Sequence, residues 1–145
     1  MPSSTNKEKR TAVHGLGEIA LRVENLDAMQ KFYADVIGLP LVTRFQNSAF
    51  FKIAEGYGGQ TQVLALFDRS ESPGYRRTDA ATSTIDHIAF EISHADFEGE
   101  KKRLEGLGLR VETAEHAWVH WRSLYVADPE GNQVELVCYD ASVGP

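Results

Sequence analysis

The sequence predicts an α+β fold of two tandem βαβββ modules, on three observations. The order strand, helix, three strands is written twice along the chain. The two copies are separated by one long polar connection, Asp68 to Ser83, which carries Pro73 and Gly74. The first strand and helix start of each copy also align without a gap at an offset of 69. That register places Glu18 on His87, Ile19 on Ile88, Ala20 on Ala89, Leu21 on Phe90, Val23 on Ile92 and Asp27 on Asp96.

In the first copy, residues 17–23 alternate Ile19, Leu21 and Val23 with Glu18, Ala20 and Arg22, the period of a half-buried strand. Asp27 is a suitable N-cap. Met29, Phe32, Tyr33, Val36 and Ile37 then fall on one helical face, Gly38 suits the C-terminal turn, and Pro40 prevents continuation. Strand-like runs follow at 41–45, 49–54 and 60–67, the last two separated by a Gly-rich turn. In the second copy, residues 85–92 form a strand with Ile88, Phe90 and Ile92 on one face and His87, Ala89 and Glu91 on the other. Phe97, Leu104 and Leu107 mark a helix closed by Gly106 and Gly108. Strands are expected at 109–113, 118–127 and 133–139, the last two joined by the turn Asp128-Pro129-Glu130-Gly131-Asn132. The modules therefore span about 17–68 and 84–140 of one domain, 13–140. Residues 1–12 are expected as a disordered tail and 141–145 as a short C-terminal tail.

Composition narrows the function. The 145 residues include 15 Lys plus Arg against 21 Asp plus Glu, a formal charge of −6. An acidic chain without basic clusters argues against nucleic acid and against anionic membranes as partners. No apolar stretch approaches a membrane span of about 20 residues, and the polar N-terminus lacks the apolar core of a secretory signal. The single cysteine, Cys138, allows no internal disulfide and fits a cytoplasmic location. It also excludes a cysteine-built zinc site, so any metal is held by His and carboxylate.

Strand alternation then selects the residues that can carry chemistry. Strands with one apolar face press it on helices and leave the other for solvent or a cavity. Glu18, His87 and Glu135 all alternate onto the non-core face. The repeat puts Glu18 and His87 at equivalent positions, which a pseudo-twofold axis is expected to bring near each other, and Glu135 is a mid-strand acid among β-branched and aromatic neighbours. Carboxylate, imidazole and carboxylate make a site for one divalent first-row metal (Mn, Fe, Ni or Zn), with positions open for water or substrate. Ser123 and Tyr125 share a strand face. His116, His120, Trp118 and Trp121 crowd the region before that strand. Cys138 alternates toward the core and is not expected to be a nucleophile. Arg76 and Arg77 read as a solvated loop.

Three segments, GEIALRVENLDAMQKFYADVIGLPL, IDHIAFEI and LYVADPEGNQVELV, resemble the vicinal oxygen chelate superfamily of glyoxalases, bleomycin-resistance proteins, fosfomycin-modifying enzymes and extradiol dioxygenases. The resemblance covers about residues 14–140. It implies that the eight strands form a U-shaped sheet around a cleft, and a small-molecule substrate. It implies metal ligands at the start of the first strand of each module and on a closing strand, hence Glu18, His87 and Glu135. It implies a homodimer, and polar contacts to substrate from Tyr125.

Two departures shape the expected activity. Glu18 stands where many members carry His, and two carboxylates cancel a dication's charge, which weakens it as a Lewis acid. The further acid of glyoxalase I, on the closing strand of the first module, is replaced here by Leu64 or Ala65, depending on register. No cationic set suited to a phosphonate is recognisable. The expectation is a small metal-dependent enzyme acting on a substrate with vicinal oxygens, of lyase or isomerase type ahead of dioxygenase type. Glu18 would serve as the detachable general base, with Glu135 and Tyr125 beside it. The alternative is a metal-free protein that sequesters a small molecule, as bleomycin-resistance proteins do.

Overall fold

The computed structural model describes residues 12–145. The expected tail at residues 1–11 lies outside the described residues. The first module runs β1 (Glu18–Val23), α1 (Leu26–Lys31) with a π-helical continuation (Phe32–Ile37), β2 (Leu41–Phe45), β3 (Ser48–Glu55) and β4 (Thr61–Asp68). The second runs β5 (His87–Glu91), α2 (Phe97–Gly106), β6 (Glu112–His116), β7 (Trp121–Ala127) and β8 (Gln133–Tyr139). Each module makes one mixed four-stranded sheet, ordered β1-β4-β3-β2 and β5-β8-β7-β6. The predicted α+β pair of βαβββ modules is therefore present, with its eight strands divided between two sheets.

The strand ladders fix the repeat register. Glu18 pairs with Val63 and Ala20 with Ala65 in the parallel β1–β4 ladder. His87 pairs with Gln133 and Ala89 with Glu135 in the parallel β5–β8 ladder. Glu18 and His87 each open the first strand of their module, and Ala65, not Leu64, is the counterpart of Glu135.

Three expected details differ. Asn25, not Asp27, caps α1, with its side-chain oxygen accepting the Ala28 N–H at 3.1 Å. The helix then widens: the Gly38 N–H donates to the Tyr33 carbonyl five residues back, and Gly38 exits at φ 90°. The strand expected at 109–113 begins only at Glu112. After Gly108, at φ 82°, Leu109 and Val111 pack half-buried against the core without pairing. The strand expected from Trp118 begins at Trp121, because Ala117–Val119 form a tight helical turn.

One core spans both modules. Met29, Tyr33, Phe51, Leu64 and Leu66 from the first join Leu104, Leu124 and Val134 from the second, each wholly buried. Burying this apolar surface is the main driving force for keeping the modules together. Polar ties add direction. The Tyr33 hydroxyl donates to Asp128 Oδ2 at 2.8 Å. The Glu130 carboxylate accepts the backbone N–H groups of Glu24 and Asn25 at 2.9 Å. Asp128 also accepts the N–H groups of Glu130 and Asn132 and the Asn132 amide, so the turn entering β8 is rigid and anchored to the other module. Beyond β8, Asp140 is buried and binds Ser142, and Val143 is buried too.

Candidate metal and substrate site

The second sheet has an open face that its helix does not cover. His87 and Ala89 of β5 alternate onto it. So do Glu135 of β8 and, through the antiparallel ladder, Tyr125 and Ser123 of β7. Glu135 is 3% exposed although it lies on this face. A buried carboxylate needs hydrogen-bond donors. The Ser123 hydroxyl donates to Glu135 Oε2 at 2.5 Å, and His87 Nε2 stands 3.1 Å from Oε1.

His87 is held from both sides, with Nδ1 2.6 Å from Asp86 Oδ1. Asp86 at Nδ1 orients the ring so that Nε2 faces the Glu135 carboxylate, and a metal ion bound there would take the place of the Nε2 proton. The donor set of His87 Nε2 and Glu135 Oε1, with Ser123 and Asp86 behind it, therefore fits a divalent cation. Tyr125 lies opposite Glu135 on the neighbouring strand. Its ring meets the His87 ring edge-on at 6.3 Å. Its hydroxyl is 3.1 Å from His116 Nε2. Burial, then the charge of Glu135, pushes the Tyr125 hydroxyl above its ordinary value, so it remains a proton donor at neutral pH.

Glu18 is not part of this cluster. It is exposed at the start of β1, in the other sheet. Among the described residues of one chain, no group of three or more His, Cys, Asp or Glu is placed to hold a metal ion. The fold thus brings together His87, Glu135 and Tyr125 and leaves Glu18 apart. Sequence reasoning did not assign Ser123, Asp86 or His116. Ser123 was legible from its two-residue spacing to Tyr125. His116 needed the β6 register, where it pairs with Trp121.

The other histidines, Arg77 and Cys138 sit in structural roles. His120 Nδ1 lies 2.6 Å from the Val143 carbonyl oxygen. His94 pairs with Asp140 at 3.2 Å, and His14 stacks on Tyr57. Arg77 reaches Glu24 at 3.4 Å, beside a polar pocket of about 700 Å³ at the end of the first module. Cys138 is buried on the core side, where desolvation raises its thiol above the usual range and keeps it protonated. Between the modules, along the edge of β5, runs a cleft of about 830 Å³ lined by Ile19, Ile53, Ile88, Phe90 and Leu136.

Known proteins share this architecture. A lactoylglutathione lyase from Agrobacterium tumefaciens is 34% identical, with 86% of this chain and 92% of that one covered at a TM-score of 0.60. A glyoxalase/dioxygenase from Nostoc punctiforme superposes at a TM-score of 0.69 over 94% of this chain and 99% of its own, and at 21% identity shows the fold. Among curated relatives, the metallothiol transferase FosB of Staphylococcus haemolyticus is 29% identical over 132 residues, covering 86% of this chain and 83% of its own. The glutathione transferase FosA of Serratia marcescens is 25% identical over 124 residues, covering 86% and 80%. Residues 15–136 match the family model of the Glyoxalase/Bleomycin resistance protein/Dioxygenase superfamily, and with its paired βαβββ modules the chain belongs to that superfamily, the vicinal oxygen chelate proteins.

Proposed function

We propose that the protein is a metal-dependent enzyme acting on a small substrate with two adjacent oxygens, by lyase or isomerase chemistry. The observation that carries this reading is the pairing of His87 Nε2 with the buried Glu135 carboxylate, each backed by its own positioning residue. His87 and Glu135 would hold one divalent ion, which supplies Lewis-acid stabilisation of a developing oxyanion. Ser123 keeps one Glu135 oxygen engaged and leaves the other facing His87. Tyr125, protonated at neutral pH, is placed to donate a hydrogen bond to a substrate oxygen on the same face.

Glu18 enters this reading as the third ligand and general base, supplied by a second copy of the chain. Its equivalence to His87, its exposure and its separation from the cluster within one chain all support a homodimer. Phe45 supports it too, since this residue of β2 is 59% exposed. The detachable carboxylate of a two-carboxylate set suits proton transfer next to a carbonyl better than oxygen activation.

That only two ligands gather in one chain favours a second reading, a metal-free binding protein for a small molecule. Thermal unfolding separates the two. With chelator and then with Mn, Ni or Zn, the metalloenzyme reading expects wild type to gain stability and Glu135→Ala not to. A hundredfold excess over the dissociation constant corresponds to about 2.7 kcal/mol. Equal shifts in both proteins, or none in either, overturn it.

A further inference from the structure

We propose that Trp118, Trp121 and Tyr139 form a shelf that binds a flat organic cation, such as an N-alkylated heteroaromatic ring. The proposal rests on reading the open face of the second sheet as a ligand site, and it names the chemical class held at the far end of that face.

Trp121 and Tyr139 are direct cross-strand partners on β7 and β8, on the same face as Ser123, Tyr125 and Glu135. Tyr139 is four positions beyond Glu135, about 13 Å at strand rise. Trp118 is 82% exposed, Tyr139 61% and Trp121 38%. The Trp118 ring centroid lies 6.4 Å from that of Trp121, and His120 sits 5.7 Å from Tyr139. Rings left this open on one patch of a single chain mark an interaction surface rather than unused core.

The backbone is strained to present them. His120 has φ 58° and ψ 40°, the one non-glycine residue at positive φ among the described residues. The segment after β8 holds it there. The Asp140 N–H donates to the His120 carbonyl at 2.7 Å, and His120 Nδ1 lies 2.6 Å from the oxygen of buried Val143. Backbone strain of this kind persists only where surroundings enforce it, and it concentrates at ligand sites. Its result here is the turn that brings Trp118 beside Trp121.

Charge selects the ligand. The residues of β5, β6, β7 and β8 that alternate onto this face include Glu91, Glu112 and Glu135, two histidines, His87 and His116, and no lysine or arginine. Arg122 points to the opposite face, over Phe97, and Arg110, before β6, pairs with Glu112. Glu91 is exposed, one rung from Tyr139. Indole and phenol faces attract cations, and Glu91, the acid nearest the shelf, adds to that attraction and disfavours anions.

Trp118 and Trp121 are the only tryptophans in the chain, so two indole N–H resonances report the shelf. Titration with N-methylquinolinium is expected to shift both, and titration with quinoline-6-sulfonate to shift neither. Trp121→Ala and Tyr139→Ala should each weaken the cation about fivefold, the equivalent of one contact of about 1 kcal/mol. Trp118→Ala, in an exposed turn, serves as the variant least able to disturb folding. Glu135→Ala should keep cation binding, so failure of the metal reading and failure of the shelf are separable. The proposal is overturned if the sulfonate binds as well as the cation, or if Trp118→Ala and Tyr139→Ala both leave the titration unchanged. It is also overturned if the indole signals respond only to protein concentration, which would make the patch a contact between copies.

Discussion

Ala65 occupies in the first module the place that Glu135 occupies in the second. Ala20 pairs with Ala65 as Ala89 pairs with Glu135, and Phe50 opposes Ala65 as Tyr125 opposes Glu135. The two sheets share a backbone plan and divide the chemistry. The open face of the first carries Phe50 and Phe67, packed edge-on with centroids 5.6 Å apart, where the second carries Tyr125 and Glu135.

Ala65→Glu tests that division. Ala65 is wholly buried. Glu135 is held by a serine and a histidine, but the first module offers Ser48 and, in place of the histidine, Glu18. A new carboxylate there would be desolvated beside a like charge, and its pKa would rise. We expect Ala65→Glu to lose about 3 kcal/mol by urea unfolding in chelator. A loss below about 0.5 kcal/mol, the scale of a neutral surface change, would show that the site is not buried as described.

Tyr33→Phe tests the tie between modules. The Tyr33 hydroxyl is buried and donates to Asp128, and burial with the Asp128 charge keeps it protonated at all ordinary pH. Removing a hydrogen bond to a charged group costs about 1.5–2 kcal/mol where the acceptor keeps other donors. Asp128 keeps three. Urea midpoints of wild type and Tyr33→Phe at neutral pH check this, with unchanged slope. A variant as stable as wild type would mean that the hydroxyl is not the anchor.

Asp140 gives the acid limb of stability a named contributor. Its carboxylate accepts the Ser142 hydroxyl and N–H, with His94 and Arg122 nearby, and these hold it below the ordinary carboxylate value. A carboxyl with a lowered folded pKa stabilises fully above its unfolded value, near 3.8, and loses that contribution as pH falls through the lower folded value. The stability difference between wild type and Asp140→Asn should therefore be smaller at pH 3 than at pH 5, shrinking below pH 4. Urea unfolding at pH 5, 4 and 3 measures it. A difference that does not change over that range would remove Asp140 from the acid response.

Much of this was legible in the sequence. Alternation in β1, β5 and β8 and the offset of 69 identified the modules, the face of Glu135 and the equivalence of Glu18 and His87. β6 was not legible. Its residues Glu112 to His116 are polar because they lie at a sheet edge, and the apolar Leu109 and Val111 before them pack without pairing. Asn25 and Asp27 are both good caps, and only the backbone decides between them. The face of Ser123 was legible from its spacing to Tyr125, but its role was not, because that rests on the buried carboxylate 2.5 Å away.

The separation of Glu18 from His87 and Glu135 yields the most decisive prediction. If the third ligand comes from a second copy, Glu18→Ala and Glu135→Ala should each abolish metal-induced stabilisation. Mixing the two variants, unfolding them together and refolding should restore part of it. In a mixed dimer one site carries both substitutions, and the other carries neither. Random pairing makes about half of the dimers mixed, so about a quarter of all sites should bind metal again. Manganese binding read by paramagnetic resonance counts those sites directly. Sedimentation of wild type at micromolar concentration should give twice the chain mass. Recovery near a quarter places Glu18 across the subunit boundary. No recovery, with both variants refolded and dimeric, would mean that Glu18 is not a ligand supplied by the other copy. A monomer in solution would remove the second copy altogether and leave His87 and Glu135 as the only protein ligands.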